Sequence, residues 1–125
     1  MSKSVLVVED EDSIALALDF LLRRRGYMLD RVKSGEDALK SIHEAAPDLI
    51  LLDVMLPGCS GYEVCRSVRS DPACKDVKIL MMTAKGGQIE QRKCLSMGAD
   101  AFVAKPFSTV HLTDTVDRLL CGEPA

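Results

Sequence analysis

The chain has 125 residues, of which 47% are hydrophobic and 28% charged, with a formal net charge of −3. This fits one compact domain over 1–125 with a buried core, and neither the apolar fraction nor the charge balance is that of a disordered chain. The mild acidity argues against a sequence-independent grip on nucleic acid. No apolar run is long enough for a secretory h-region or a membrane span, and Cys59, Cys65, Cys74, Cys94 and Cys121 form no C-x-x-C pair, which suits a reducing cytoplasm better than a disulfide framework or zinc site.

In chain order, Val5-Leu-Val-Val8 opens the pattern as a short run apolar throughout, the signature of a strand buried on both faces. Ile14, Ala17, Leu18, Leu21 and Leu22 recur at helical spacing, predicting an amphipathic helix over 13–25 that stops at Gly26. A weaker strand is expected over 28–32. Ser34 with Asp37 resembles a capping box, without its preferred Glu or Gln, and opens a helix with the stripe Ala38, Leu39, Ile42 and Ala45. Leu49-Ile-Leu-Leu52 is a second strong strand, and Ser60 with Glu63 a second box ahead of Val64, Cys65 and Val68. Cys65 therefore belongs to the core, and a structural role is also the simpler reading of Cys59 in its Pro-Gly loop. A third strong strand covers 77–82. The helix expected over 88–97 is the poorest, because Ile89, Cys94, Leu95 and Met97 form no clean stripe. A weak strand at 101–104 precedes a last helix from near Ser108, burying Leu112, Val116, Leu119 and Leu120. The final residues, 121–125, read as a fraying end or the start of a linker. Five alternations of β and α predict an α/β fold, a (βα)5 doubly wound parallel sheet with right-handed crossovers.

The strand ends carry the chemistry. Glu9 and Asp10 follow the first strand, Asp53 the third, Thr83 the fourth and Lys105 the fifth. In an open α/β sheet the carboxyl ends of the strands border the ligand crevice, so these positions converge there. Three carboxylates at one point repel unless a cation sits between them, and an all-oxygen cluster suits Mg²⁺. Lys105 offers a charge and Thr83 a hydroxyl to phosphoryl oxygens, while Asp53, flanked by apolar residues on its own strand, is the natural nucleophile for in-line phosphoryl transfer. Asp12 and Glu11 read more simply as acids at a helix N-terminus. His43 and His111 fall on helix surfaces by periodicity, with no catalytic role.

Leu6-Val-Val-Glu-Asp-Glu-Asp12, Asp48-Leu-Ile-Leu-Leu-Asp-Val-Met-Leu-Pro-Gly-Cys-Ser-Gly61, Met82-Thr-Ala84 and Gly98-Ala-Asp-Ala-Phe-Val-Ala-Lys-Pro-Phe107 together resemble the receiver domain of two-component response regulators over essentially the whole chain. The resemblance implies a flavodoxin-like sheet with strand order 2-1-3-4-5, and a switch phosphorylated on Asp53 by a sensor histidine kinase or a histidine phosphotransfer protein. It implies metal binding by Glu9, Asp10, Asp53 and the Met55 carbonyl, a switch hydroxyl on Thr83, a phosphate-pairing Lys105 with a cis bond to Pro106, and an aromatic switch at Phe102. Phosphorylation would then change the surface of the fourth helix, fifth strand and fifth helix toward a protein target or output domain. Without that analogy Phe102 is plain core. The two glycines of Ala84-Lys-Gly-Gly87 leave that connection free to move.

Three other functions fit less well. A flavin carrier of this fold needs a phosphate-cradling loop where this chain has Glu9-Asp-Glu-Asp12, which would repel a phosphate monoester. A phosphatase of the haloacid-dehalogenase type needs a second Asp where this chain has Met55, so turnover of a separate substrate is not expected. A phosphate-independent interaction module would leave Asp53 unmodified.

Overall fold

The computed structural model describes residues 3–84 and 87–121. Its strands and helices alternate: β1 (Ser4–Val8), α1 (Asp12–Arg23), β2 (Met28–Val32), α2 (Gly35–Glu44), β3 (Leu49–Asp53), α3 (Gly61–Ser70), β4 (Lys78–Thr83), α4 (Gln88–Ser96), β5 (Ala101–Ala104) and α5 (Thr109–Leu120). A 3-10 turn at Pro72–Cys74, which no sequence pattern announced, leads into β4. All strands are parallel, in the order β2-β1-β3-β4-β5. Fold class and strand order are as expected.

Period-two alternation sorts the strands into two cores. Leu6, Val8, Ile50, Leu52, Ile79 and Met81 face α2, α3 and α4, while Val5, Val7, Leu49, Leu51, Leu80, Met82, Ala101 and Val103 face α1 and α5. Each large side chain withdrawn from water on these faces is worth about 1.5–3 kcal/mol, offset by ordering entropy. Ser34, Ser60 and Ser108 cap α2, α3 and α5, each accepting the N–H three residues on, from Asp37, Glu63 and His111.

The structure corrects some details. The buried residues of α1 are Ala15, Leu18 and Leu22, so Ala17 faces solvent, as do Leu16 and Phe20. Ile14 and Leu21 are half-buried flanks of a stripe centred on Leu18 rather than between Leu18 and Leu21. Ala45 is exposed, because α2 ends at Glu44 and the chain there turns extended. α1 ends at Arg23 rather than residue 25, and Gly26 follows with φ 91°. Lys85 and Gly86 lie outside the described residues, as does the terminal stretch beyond Cys121.

Candidate functional site

The last bonds of the β-ladder set the site. Glu9 N–H donates to the Val32 carbonyl at 3.1 Å and Lys105 N–H to the Thr83 carbonyl at 2.7 Å, so strand geometry continues a step past β1 and β5. Glu9 thereby keeps the parity of Val5 and Val7, Asp53 that of Leu49 and Leu51, and Lys105 that of Ala101 and Val103. Thr83 keeps the parity of Ile79 and Met81, and Phe102 packs on that other core. Acidic and basic groups thus fall on one side of the sheet, and Thr83 with Phe102 on the side of α4.

Lys105 Nζ donates to Glu9 Oε1 at 2.7 Å and to Asp53 Oδ2 at 2.9 Å. The remaining oxygens are also engaged: Asp53 Oδ1 accepts the Met55 N–H at 3.0 Å, and Glu9 Oε2 the Glu11 N–H at 3.1 Å. Glu9 is wholly buried and Asp53 nearly so, whereas Asp10 is exposed at the mouth. Burial raises the Glu9 pKa, opposed by its bonds to Lys105 and Glu11 and reinforced by the Asp53 charge. Burial pulls the Lys105 pKa down, but hydrogen bonds to Glu9 and Asp53 outweigh it and the net shift is upward. Lys105 is therefore a cation at neutral pH, held by two carboxylates.

Oxygens of Glu9, Asp10 and Asp53 lie within 4.8 Å of one another. Three carboxylates against one ammonium leave a doubly negative excess, in a pocket whose donors are all hard oxygens. That donor set fits a small dication such as Mg²⁺. A close backbone approach supports the pocket floor: a Cβ on Gly61 would stand 2.3 Å from the Asp53 carbonyl oxygen, so only glycine lets α3 begin against the end of β3. Gly58, with φ 72°, turns the intervening loop.

The remaining predicted residues are close by but play different structural parts. Thr83 ends β4 and is buried. Phe102 is half-buried beside Leu95, His111 and Thr115, lining a cavity of about 230 Å³ between α4, β5 and α5. Met55 directs its side chain into solvent, and Pro106 follows a cis peptide bond. His43 and His111 are exposed, Cys65 is buried, and Cys59 is half-buried with burial and then Glu63 and Glu36 raising its pKa.

Sequence reasoning missed Arg31. This β2 residue donates from Nε to the Glu9 carbonyl at 2.9 Å and pairs through Nη1 with Asp12 Oδ1 at 3.0 Å. Lys33 joins the same Asp12 oxygen at 3.3 Å. Bonds from Arg31 and then Lys33 lower the Asp12 pKa. A weak strand with no motif gave no sign that it would carry an acid-holding arginine.

The response regulator receiver domain family matches residues 5–117. The chain belongs to this family. It is 40% identical over 120 residues to the phosphate regulon transcriptional regulatory protein PhoB of Rhizobium meliloti (strain 1021), covering 96% of this chain and 53% of PhoB, so it spans about half the length of that relative. A response-regulator structure from Chloroflexus aurantiacus J-10-fl superposes with a TM-score of 0.92 at 38% identity, covering 97% of this chain and 99% of that one. The receiver domain of sensor histidine kinase PA1611 from Pseudomonas aeruginosa PAO1 superposes with a TM-score of 0.88 at 30% identity, over 97% and 99% of the two chains, and holds a magnesium ion in its active-site cleft. Receiver domains of two-component signalling thus include both response regulators and kinase-borne domains among this chain's relatives. No described helix is long and apolar enough to cross a membrane.

Proposed function

We propose that this receiver domain accepts a phosphoryl group on Asp53 from the phosphohistidine of a sensor histidine kinase or phosphotransfer protein. The observation that carries the reading is a nearly buried carboxylate bonded to a lysine, beside two further acids, at the carboxyl edge of the sheet. An oxygen of Asp53 forms the new P–O bond as the P–N bond of the donor breaks, and the electron pair leaves with the imidazole nitrogen. Lys105, cationic and already at Asp53, counters the charge of the transferring group. Glu9, Asp10, Asp53 and the Met55 carbonyl are the groups that would hold Mg²⁺, whose chemistry when bound is to neutralise phosphoryl oxygens.

Thr83 and Phe102 are the relay. They share the sheet face that looks toward α4, so a hydroxyl drawn toward a phosphorylated Asp53 vacates space that the half-buried Phe102 ring can take up. The α4, β5 and α5 surface, toward a protein target or output domain, changes as a shift between two conformations. The domain assists its own phosphorylation and turns over no separate substrate, because Met55 supplies no second acid. A cytoplasmic location accords with free cysteines.

Incubation with acetyl phosphate and Mg²⁺ should add one phosphoryl group, read by mass, and a chelator should prevent it. Labelling of Asp53→Asn, or labelling indifferent to chelator, would overturn the assignment. Thr83→Ala should still be labelled while losing most backbone amide shifts outside the immediate site. Retention of those remote shifts would return Phe102 to plain core.

A further inference from the structure

Four consecutive acids, Glu9, Asp10, Glu11 and Asp12, carry the chain from the end of β1 through the turn and into the first residue of α1. Glu9 turns inward to Lys105, and Asp12 turns outward to Arg31 and Lys33. Among the described residues the Asp10 carboxylate has no hydrogen bond or ion pair, yet it stands within 4.8 Å of both Glu9 and Asp53. The two carboxylates repel Asp10 while the Lys105 ammonium they share attracts it, and no directional contact of its own fixes where the Asp10 carboxylate points. Its direction is set by the backbone on either side.

That backbone is held from both ends by one group. Arg31 Nε holds the Glu9 carbonyl, immediately before Asp10, and Arg31 Nη1 holds Asp12, two residues after it. The guanidinium is planar and its donors are fixed relative to one another, so both contacts are met at one spacing of the turn. The backbone from which the fork reaches is fixed, because β2 is paired with β1 along its length, with Arg31 opposite Val7 and Val32 opposite Val8. The fork's remaining nitrogen, Nη2, is buried and has no hydrogen-bond partner among the described residues. An unsatisfied buried donor is costly, so the orientation of this side chain follows the two acceptors of the acidic turn and not its own full satisfaction.

We infer that Arg31 is the positioning residue for Asp10, bridging the two ends of the acidic turn so that the Asp10 carboxylate faces the cation site. The inference rests on the proposed reading of that site. Charge alone predicts the opposite behaviour: a cation near the pocket should disfavour Mg²⁺, and its removal should tighten binding. Positioning predicts that removal weakens it. Lysine separates the two, since it keeps the charge but cannot bridge both acceptors through a rigid fork.

Mg²⁺ affinity measured by titration of the full chain, with melting curves confirming that each variant is folded, decides the matter. Arg31→Gln should bind Mg²⁺ about tenfold more weakly, the size seen when partners of metal ligands are removed. Arg31→Lys should be weakened in the same direction and remains informative if the glutamine variant fails to fold. The double variant Arg31→Gln with Asp10→Asn should bind no more weakly than Asp10→Asn alone, because Arg31 acts through Asp10. In the metal-free protein, the amide of Glu11 should exchange faster in Arg31→Gln. Unchanged or tighter binding by Arg31→Gln, or full additivity with Asp10→Asn, would overturn the inference. A parent chain that binds no Mg²⁺ overturns the reading of the site itself, and the inference with it.

Discussion

Helices α4 and α5 flank β5 from opposite sides of the sheet. α5 buries Leu112, Val116 and Leu119 together with Thr113 and Thr115, whose hydroxyls bond back to the Thr109 and His111 carbonyls four residues earlier. α4 buries Cys94 alone, leaving Ile89 and Leu95 in solvent. Its attachment is polar instead: Glu90 accepts the Tyr62 hydroxyl, Lys93 lies 4.2 Å from the centroid of the same ring, and the Met97 and Gly98 carbonyls accept from Cys65 and Arg69. Apolar burial is lost steeply when a helix moves, whereas directional bonds can be exchanged one by one. The same strand therefore has a fixed neighbour and a replaceable one, and the replaceable one lies on the side of Thr83 and Phe102.

The sharpest way to test that contrast is to truncate a matched leucine on each helix. Leu112→Ala should cost about 2–5 kcal/mol in urea unfolding, and Leu95→Ala within about 0.5 kcal/mol. Equal losses would dissolve the distinction. The one buried anchor of α4 can be followed by pH. Burial first, then Glu90, pushes the Cys94 thiol up to about 11 from an ordinary value of 9.0. Below pH 9 the thiol is protonated in both states and its contribution is whole; between 9 and 11 the unfolded thiol ionises first, and the contribution is lost. The parent should therefore lose roughly 2 kcal/mol more across that window than Cys94→Ala does. Tyr62→Phe should cost about 1 kcal/mol for one hydrogen bond. Amide exchange should quicken in α4 and not in α5; acceleration in both would show that the two helices open together.

These differences bear on what the chain discloses before it folds. Three apolar runs marked β1, β3 and β4, and Ser34, Ser60 and Ser108 marked helix starts, because strand burial and capping are local chemistry. Glu9, Asp53 and Lys105 could be brought together in thought because strand ends converge in any sheet of this class. Arg31 and Tyr62 could not. Each acts across a gap, Arg31 on a turn 22 residues away and Tyr62 on a helix 28 residues away, and neither stands in a pattern its own neighbours explain. Ala17 was misplaced for a related reason: alanine is small enough to sit on either face, so periodicity could not tell it from Ala15. At the opposite edge of the sheet, Asp48 and Asp100 accept the N–H groups of Ser4 and Ile79 at 2.7 and 2.8 Å, acids serving strand starts with no apolar pattern to reveal them.

The strand order also bears on synthesis. With β1 between β2 and β3, a chain leaving the ribosome can assemble three strands by the time Asp53 has emerged, and β4 and β5 then join one exposed edge in the order they are made. Lys105 arrives 96 residues after Glu9. Until β5 emerges the nascent sheet carries Glu9 and Asp53 with no Lys105 ammonium between them, and β5 then becomes its edge strand. The bridge that neutralises the acids therefore waits for the last strand of the sheet.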